Sequence, residues 1–277
     1  MEDYFWNRCH PALLGKVLPR ISRARLGSGW GCKMSVFQEF PSKGDWKRIS
    51  ETSLFEELYP LLDELDKKIR PTDDRGDIFE YIELQGWLYH LRQRLNDAKY
   101  SYVLMMFYYE QGIPDEQWIA ESNDGWRYFP NFDDIHFIIK EWFDFYSDTT
   151  YYKIFTTWDT FGHFLNIKHR LGIKQNDVHF TRVIKRLSKT GNNLYIKMQS
   201  ILNSPEFKKA NSIRNNITHN YLPHKPGLVG NRITDDKNVP GIVVSLEINK
   251  YIISTDIVKN IDETLKLLKQ SVEYLLV

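Results

Sequence analysis

The residues best suited to chemistry sit together in one short segment, NSIRNNITHNYLPH, residues 211–224. It places Arg214, Asn215, His219 and Tyr221 within eight residues. These types suit cleavage of an RNA phosphodiester. A histidine can abstract the 2′-hydroxyl proton or protonate the leaving 5′-oxygen. An arginine can hold a pentacoordinate phosphate through its planar donor fork. Tyr221 can donate to phosphate or stack on a base, and Asn215 can orient the histidine or the scissile phosphate. Such acid–base cleavage needs no metal and no cofactor. The bland alternative is a helix end, where Arg214 and His219 would stabilise terminal carbonyls.

Geometry restricts how these groups cooperate. On an ideal helix Arg214 and His219 lie about 140° and roughly 7.5 Å apart, on different faces. Arg214 and Tyr221, seven residues apart, would share one. Joint action therefore requires the helix to end near Thr218, or a second chain to complete the site. Asn220, Tyr221 and Pro223 fit an ending there. A twofold axis would also supply a second histidine, so that acid and base are separate groups.

The segment resembles the signature of the HEPN superfamily: an Arg, a polar residue that is often Asn, three more residues, then His. Arg214, Asn215, Asn216-Ile217-Thr218 and His219 reproduce it, and Tyr221 completes the longer Arg-x4-His-x-Tyr form. The resemblance implies a helical bundle and a metal-independent endoribonuclease, with Arg214, Asn215, His219 and Tyr221 as its site. It implies a homodimer with the motifs facing each other, and a defence or toxin–antitoxin setting with a cognate antitoxin protein. In toxins paired with a minimal nucleotidyltransferase, the tyrosine can also be the target of nucleotidylation. Some members serve instead as non-catalytic RNA-binding or structural modules. A purely structural helical dimer is the third alternative.

Charge distribution bears on an RNA partner. The 277 residues carry 37 Lys+Arg and 36 Asp+Glu, a net of +1, which argues against a uniformly basic coat. Residues 51–80 nevertheless hold ten acids and four bases, whereas residues 163–225 hold twelve bases and two acids. The second block can attract a polyanion, or it can be neutralised by the first. Within it Arg182 and Arg186, and Lys185 and Lys189, are each one helical turn apart and form a candidate RNA-backbone track. No residue pattern singles out His224. His163 and His169 read as solvent-facing or gap-filling, and Asp159 as a hydrogen-bond partner.

The elements that must position the motif read as mainly helical. Leu54, Leu58, Leu61, Leu62 and Leu65 recur at helical steps. A long helix spans Ile78 to Tyr109, with Leu84, Leu88, Leu91 and Leu95 on one face. Residues 113–131 read as a connection. Helices follow at 132–146, 150–170, about 177–187, 192–202 and 205–218, with dense aromatics over 142–164 expected to form core or a subunit interface. Ile242, Val244, Leu246 and Ile248 alternate, predicting a β-hairpin with residues 251–254. Ile257, Ile261, Leu265, Leu268, Val272 and Leu275 predict a long closing helix. The expected architecture is an N-terminal arm and helical extension, residues 1–130, then a HEPN-like bundle, residues 131–277, that is all-α apart from the hairpin.

Cys9 and Cys32 read as free thiols of a reducing cytoplasm, and with His10 they match no usual zinc spacing. The glycine-rich stretch 27–31 lacks the context of a nucleotide-binding loop. No run of the sequence predicts a signal peptide or a transmembrane helix, so a cytoplasmic protein without a membrane partner is expected.

Overall fold

Two long helices form the frame. The first, α3 (Ile78–Tyr109), has the bounds expected from the sequence, with Leu84, Leu88, Leu91 and Leu95 buried on one face. The second, α4 (Asp134–Lys168), packs along it. Its 35 residues run straight through the break expected between Tyr146 and Thr150. The hydroxyls there bond to their own helix instead of competing with it. Ser147, Thr149 and Thr150 donate to the carbonyls of Phe143, Phe145 and Tyr146 at 2.7, 2.9 and 2.7 Å. Asp133 caps the start, accepting from the His136 amide at 3.1 Å. This computed structural model describes residues 39–71, 78–122, 125–191, 193–233 and 243–276. Cys9, His10, Cys32 and the glycine stretch at 27–31 lie outside them.

Two helices precede the frame. Helix α1 (Lys43–Glu51) occupies a stretch whose sequence shows no sustained period. Its signal is a capping box: Ser42 Oγ accepts from the Asp45 amide at 3.1 Å, and Asp45 accepts from the Ser42 amide at 3.2 Å. Helix α2 (Phe55–Ile69) buries Phe55, Leu58, Leu62 and Leu65 against α3 and the last helix. The segment read as a plain connection contains a small hairpin, β1 (Ile119–Ser122) with β2 (Gly125–Tyr128).

After α4 come α5 (Phe180–Leu187), α6 (Leu194–Asn203) and α7 (Pro205–His219). Gly162 of α4 lets α5 approach: a Cβ there would lie 3.3 Å from Phe180 Cα. Asp159, one turn earlier, accepts from the Phe180 amide at 2.9 Å. The hairpin before the last helix exists, but residues 251–254 are not its second strand. Antiparallel pairing joins β4 (Val243–Ile248) to β3 (Leu228–Ile233), in the register Leu228↔Ile248 to Ile233↔Val243.

Residues 251–254 serve the last helix, α8 (Ser254–Leu276), instead. The buried carboxylate of Asp115 accepts from the Ser254 amide at 2.9 Å, the Ser254 hydroxyl at 2.8 Å and the Tyr251 hydroxyl at 2.6 Å. It therefore caps α8 from a distant part of the chain. Helices α2, α6 and α7 close on α8. Most of the large aromatics of α4 are core: Phe143, Tyr151, Trp158, Phe161 and Phe164 are buried, whereas Phe145 is 57 % exposed. The helices belong to one compact unit beginning at Phe40 and share one core. Among the described residues, no helix is long and apolar enough to cross a membrane.

Candidate functional site

Helix α7 carries the motif. Ser204 caps it, accepting from the Phe207 amide at 3.2 Å, and Pro205 occupies its first turn. Phe207, Ala210 and Ile213 are buried and fix which side faces the core. Arg214 follows at the edge of that side. Its guanidinium lies over the Phe155 ring of α4, 4.9 Å from the centroid, and one nitrogen donates to Asn211 Oδ1 at 3.0 Å. The buried Nε has no hydrogen-bond partner. The ring supports the guanidinium, and only one of its nitrogens has a hydrogen-bond partner among the described residues; an arginine with unpaired N–H groups can receive an anion.

The helix ends at His219, one residue beyond the expected Thr218, with Asn220 extended. Arg214 and Tyr221 are therefore not placed on one helical face, since Tyr221 lies outside the helix. His219 is exposed and has no hydrogen-bond or ion-pair partner among the described residues. Tyr221 is 58 % exposed, and Asn215 is half-buried. The preceding residue, Thr218, is anchored twice. Its hydroxyl lies 2.8 Å from the Arg214 carbonyl and 2.7 Å from the Tyr152 hydroxyl of α4. Beyond the motif, Asn249 clamps the loop: its amide nitrogen donates to the carbonyls of Leu222 at 3.2 Å and Lys225 at 2.9 Å.

A buried charge cluster adjoins this loop, and sequence reasoning missed it. Lys140, Asp144 and Asp148 recur every fourth residue along α4. Lys140 bonds to Asp144, and its Nζ lies 3.4 Å from the His224 carbonyl. Lys225 pairs with Glu141 at 2.5 Å and with Asp144 at 3.2 Å. His224 is 2 % exposed, and its Nδ1 stands 3.6 Å from Asp148 Oδ1. Burial pushes the Asp148 carboxyl up to about 7, and the neighbouring Asp144 charge acts in the same direction. Burial holds the His224 imidazole down to about 3, helped by the Lys140 and Lys225 charges. Tyr152 continues the same four-residue spacing. Thus Tyr152, Asp148 and Asp144 of α4 meet Thr218, His224 and Lys225 in turn.

The proposed RNA track lies on α5 and the turn after it. Phe180, Val183, Ile184 and Leu187 are buried, while Arg182, Lys185, Arg186 and Lys189 are exposed. Arg182 pairs with Asp177 at 3.4 Å, and Arg186 Nε donates to the Leu171 carbonyl at 3.3 Å. Lys185 and Lys189 have no ion pair among the described residues. No hydrogen bond or ion pair among the described residues connects this group to the α7 motif. Among the described residues the acidic block does little to neutralise it. Glu56, Glu57, Asp63 and Asp66 pair with Lys99, Lys269, Arg92 and Arg70, outside the basic block. Only Glu80, through Arg170 at 2.5 Å, joins the two blocks among the described residues.

Comparison with known proteins adds the family. No curated protein and no solved structure matches the chain. A family model described as Cthe2314-like HEPN matches residues 87–276. The match begins inside α3 rather than at residue 131, and it includes α4, the motif and α8. HEPN membership supports an RNA-binding or nuclease role in general. Because the match covers well over half of the sequence and contains the whole Arg214–Tyr221 segment, the chain belongs to the Cthe2314-like HEPN family.

Proposed function

We propose that the protein is a metal-independent endoribonuclease that cleaves RNA through attack of a 2′-hydroxyl on the adjacent phosphate. The observation that carries this reading is His219: exposed, free of partners among the described residues, and fixed at the end of a helix that also bears Arg214, whose guanidinium lies over the Phe155 ring. His219 acts as acid and base in the two proton transfers. Arg214 stabilises the charge that builds on the phosphate oxygens. Asn215 and Tyr221 orient the substrate. Two chains related by a twofold axis bring two His219 side chains to one phosphate, so that one removes the 2′-hydroxyl proton while the other protonates the leaving oxygen. The basic face of α5 attracts the strand.

The test is a panel of RNA oligonucleotides incubated with purified protein, with and without EDTA. Cleavage should survive EDTA, leave a 2′,3′-cyclic phosphate, and fail when the scissile nucleotide is 2′-deoxy. Light scattering should show a dimer under the same conditions. Tight, salt-dependent RNA binding without cleavage would instead identify a non-catalytic RNA-binding module.

A further inference from the structure

We propose that Tyr152 of α4 is a positioning residue for the motif, acting through Thr218; the inference rests on the nuclease reading above. A threonine hydroxyl has one proton to donate. Thr218 Oγ1 lies 2.8 Å from the Arg214 carbonyl, which can only accept, so the Thr218 proton goes there. The Tyr152 hydroxyl, 2.7 Å from Thr218 Oγ1, must then be the donor of the second bond. A directed relay results, from Tyr152 to Thr218 to the Arg214 carbonyl. It ties together α4, the residue before His219 and the backbone of the arginine.

The location makes this bond matter. Terminal helical turns fray, and the last turn of α7 is exposed at Thr218 and His219. Asn216 and Asn220 bond to each other, but that contact is local to the turn. Among the described residues, Tyr152–Thr218 is the side-chain hydrogen bond that ties this turn to another helix. Since Tyr152 donates to Thr218, its proton is not available to a substrate phosphate. Its contribution is therefore the placement of His219 and Arg214. On the same face of α4, Phe155 supports the Arg214 guanidinium and Asp148 stands beside His224. The helix thus holds the segment on both sides of His219 and leaves His219 itself open.

Steady-state cleavage by wild type, Tyr152→Phe, Thr218→Ala, Thr218→Ser and the Tyr152→Phe/Thr218→Ala double variant tests the relay. Misplacement of a reacting group costs up to about a hundredfold in rate. A roughly tenfold or larger fall in kcat is expected for Tyr152→Phe and for Thr218→Ala, with KM within about twofold and unfolding midpoints near wild type. Thr218→Ser, which keeps the hydroxyl, should retain the wild-type kcat. The double variant should be little worse than either single one, because both remove the same relay. Wild-type kcat in Tyr152→Phe, or additive losses in the double variant, would overturn the relay while the nuclease reading stands. A fall in kcat matched by a fall in stability would reduce Tyr152 to a folding role and overturn it too. An inactive wild type would overturn both.

Discussion

Two histidines five residues apart have opposite environments. His219 is exposed at the end of α7 and has no partner among the described residues, whereas His224 is buried beside Asp148 and feels the charges of Lys140 and Lys225. Both stand against the same face of α4, His219 through its neighbour Thr218 and His224 directly. The difference teaches how one helix face serves two purposes. Close to Arg214 it supports the backbone and leaves His219 and Tyr221 exposed to solvent. Two turns away it takes charges out of water and balances them. Lys140 and Lys225 are offset by Asp144 and Glu141, which lets the Asp148–His224 pair exist without net charge.

The largest expected effect separates these environments directly. His219→Ala should lower RNA cleavage by about 10²–10⁴-fold, the usual contribution of a proton-transfer group. Its unfolding midpoint should stay near wild type, because an exposed side chain is lost. His224→Ala should cost about 2–4 kcal/mol of stability, since it leaves a cavity and removes a buried neighbour of Asp148. Cleavage assays and urea unfolding of both variants decide the matter. If His224→Ala is as stable as wild type, the buried cluster does not hold the loop.

The next effect is on pH dependence. In the unfolded chain between about pH 4 and 6.5, an aspartate is ionised and a histidine is protonated, so the two side chains hold one proton. In the folded chain the pair also holds one, because Asp148 keeps its proton up to about 7 and His224 binds none until about 3. The contributions of the pair to the slope of stability against pH therefore cancel in this window. Removing one member exposes the other. In Asp148→Asn only the unfolded state protonates His224 between pH 6.5 and 3, so stability should fall on acidification relative to wild type. In His224→Gln only the folded state protonates Asp148 between about 3.8 and 7, so stability should fall as pH rises. Each slope, measured against wild type by urea unfolding at pH 4.5, 5.5 and 6.5, approaches about 1.4 kcal/mol per pH unit. Equal slopes in all three proteins would show that the pair is solvated.

Which parts of this were legible in the sequence follows from how local their causes are. The span of α3 was readable because Leu84, Leu88, Leu91 and Leu95 repeat with the helical period, and the motif was readable because its residues lie within eight positions. Helix α1 was missed because its evidence is a cap rather than a period. The break expected in α4 was wrong because Ser147, Thr149 and Thr150 look like turn residues until their hydroxyls are seen bonded to the preceding turn. Strand β4 was found by its alternation, but its partner was not, since β3 contains Gly230 and Asn231 and lacks a clear alternation. The buried cluster did leave a signal: Lys140, Asp144, Asp148 and Tyr152 form a polar stripe at four-residue steps in an aromatic helix. What sequence could not supply was the segment 218–225 that this stripe meets.

The smallest expected effect concerns unpaired and occupied cations on α5 and the turn after it. Arg182 and Arg186 are held by Asp177 and the Leu171 carbonyl, while Lys185 and Lys189 have no such hold among the described residues. Each cation that contacts a phosphate contributes roughly 0.7 to the slope of log K against log salt for a single strand. Charge reversal of all four to Glu should thus weaken RNA binding and flatten the slope by up to about 3. Their exposure means that folding should change by only about 0.5 kcal/mol per site. The pairs should not be equivalent. Moving Arg182 or Arg186 onto a phosphate requires an existing contact to be given up, whereas Lys185 and Lys189 reach it without that cost. Lys185→Glu with Lys189→Glu should therefore flatten the salt slope more than Arg182→Glu with Arg186→Glu, in titrations of a 2′-deoxy-blocked RNA at several salt concentrations. An unchanged slope in the fourfold variant would remove α5 from the RNA face. A larger effect from the arginine pair would show that Asp177 and Leu171 present these side chains to the strand instead of restraining them.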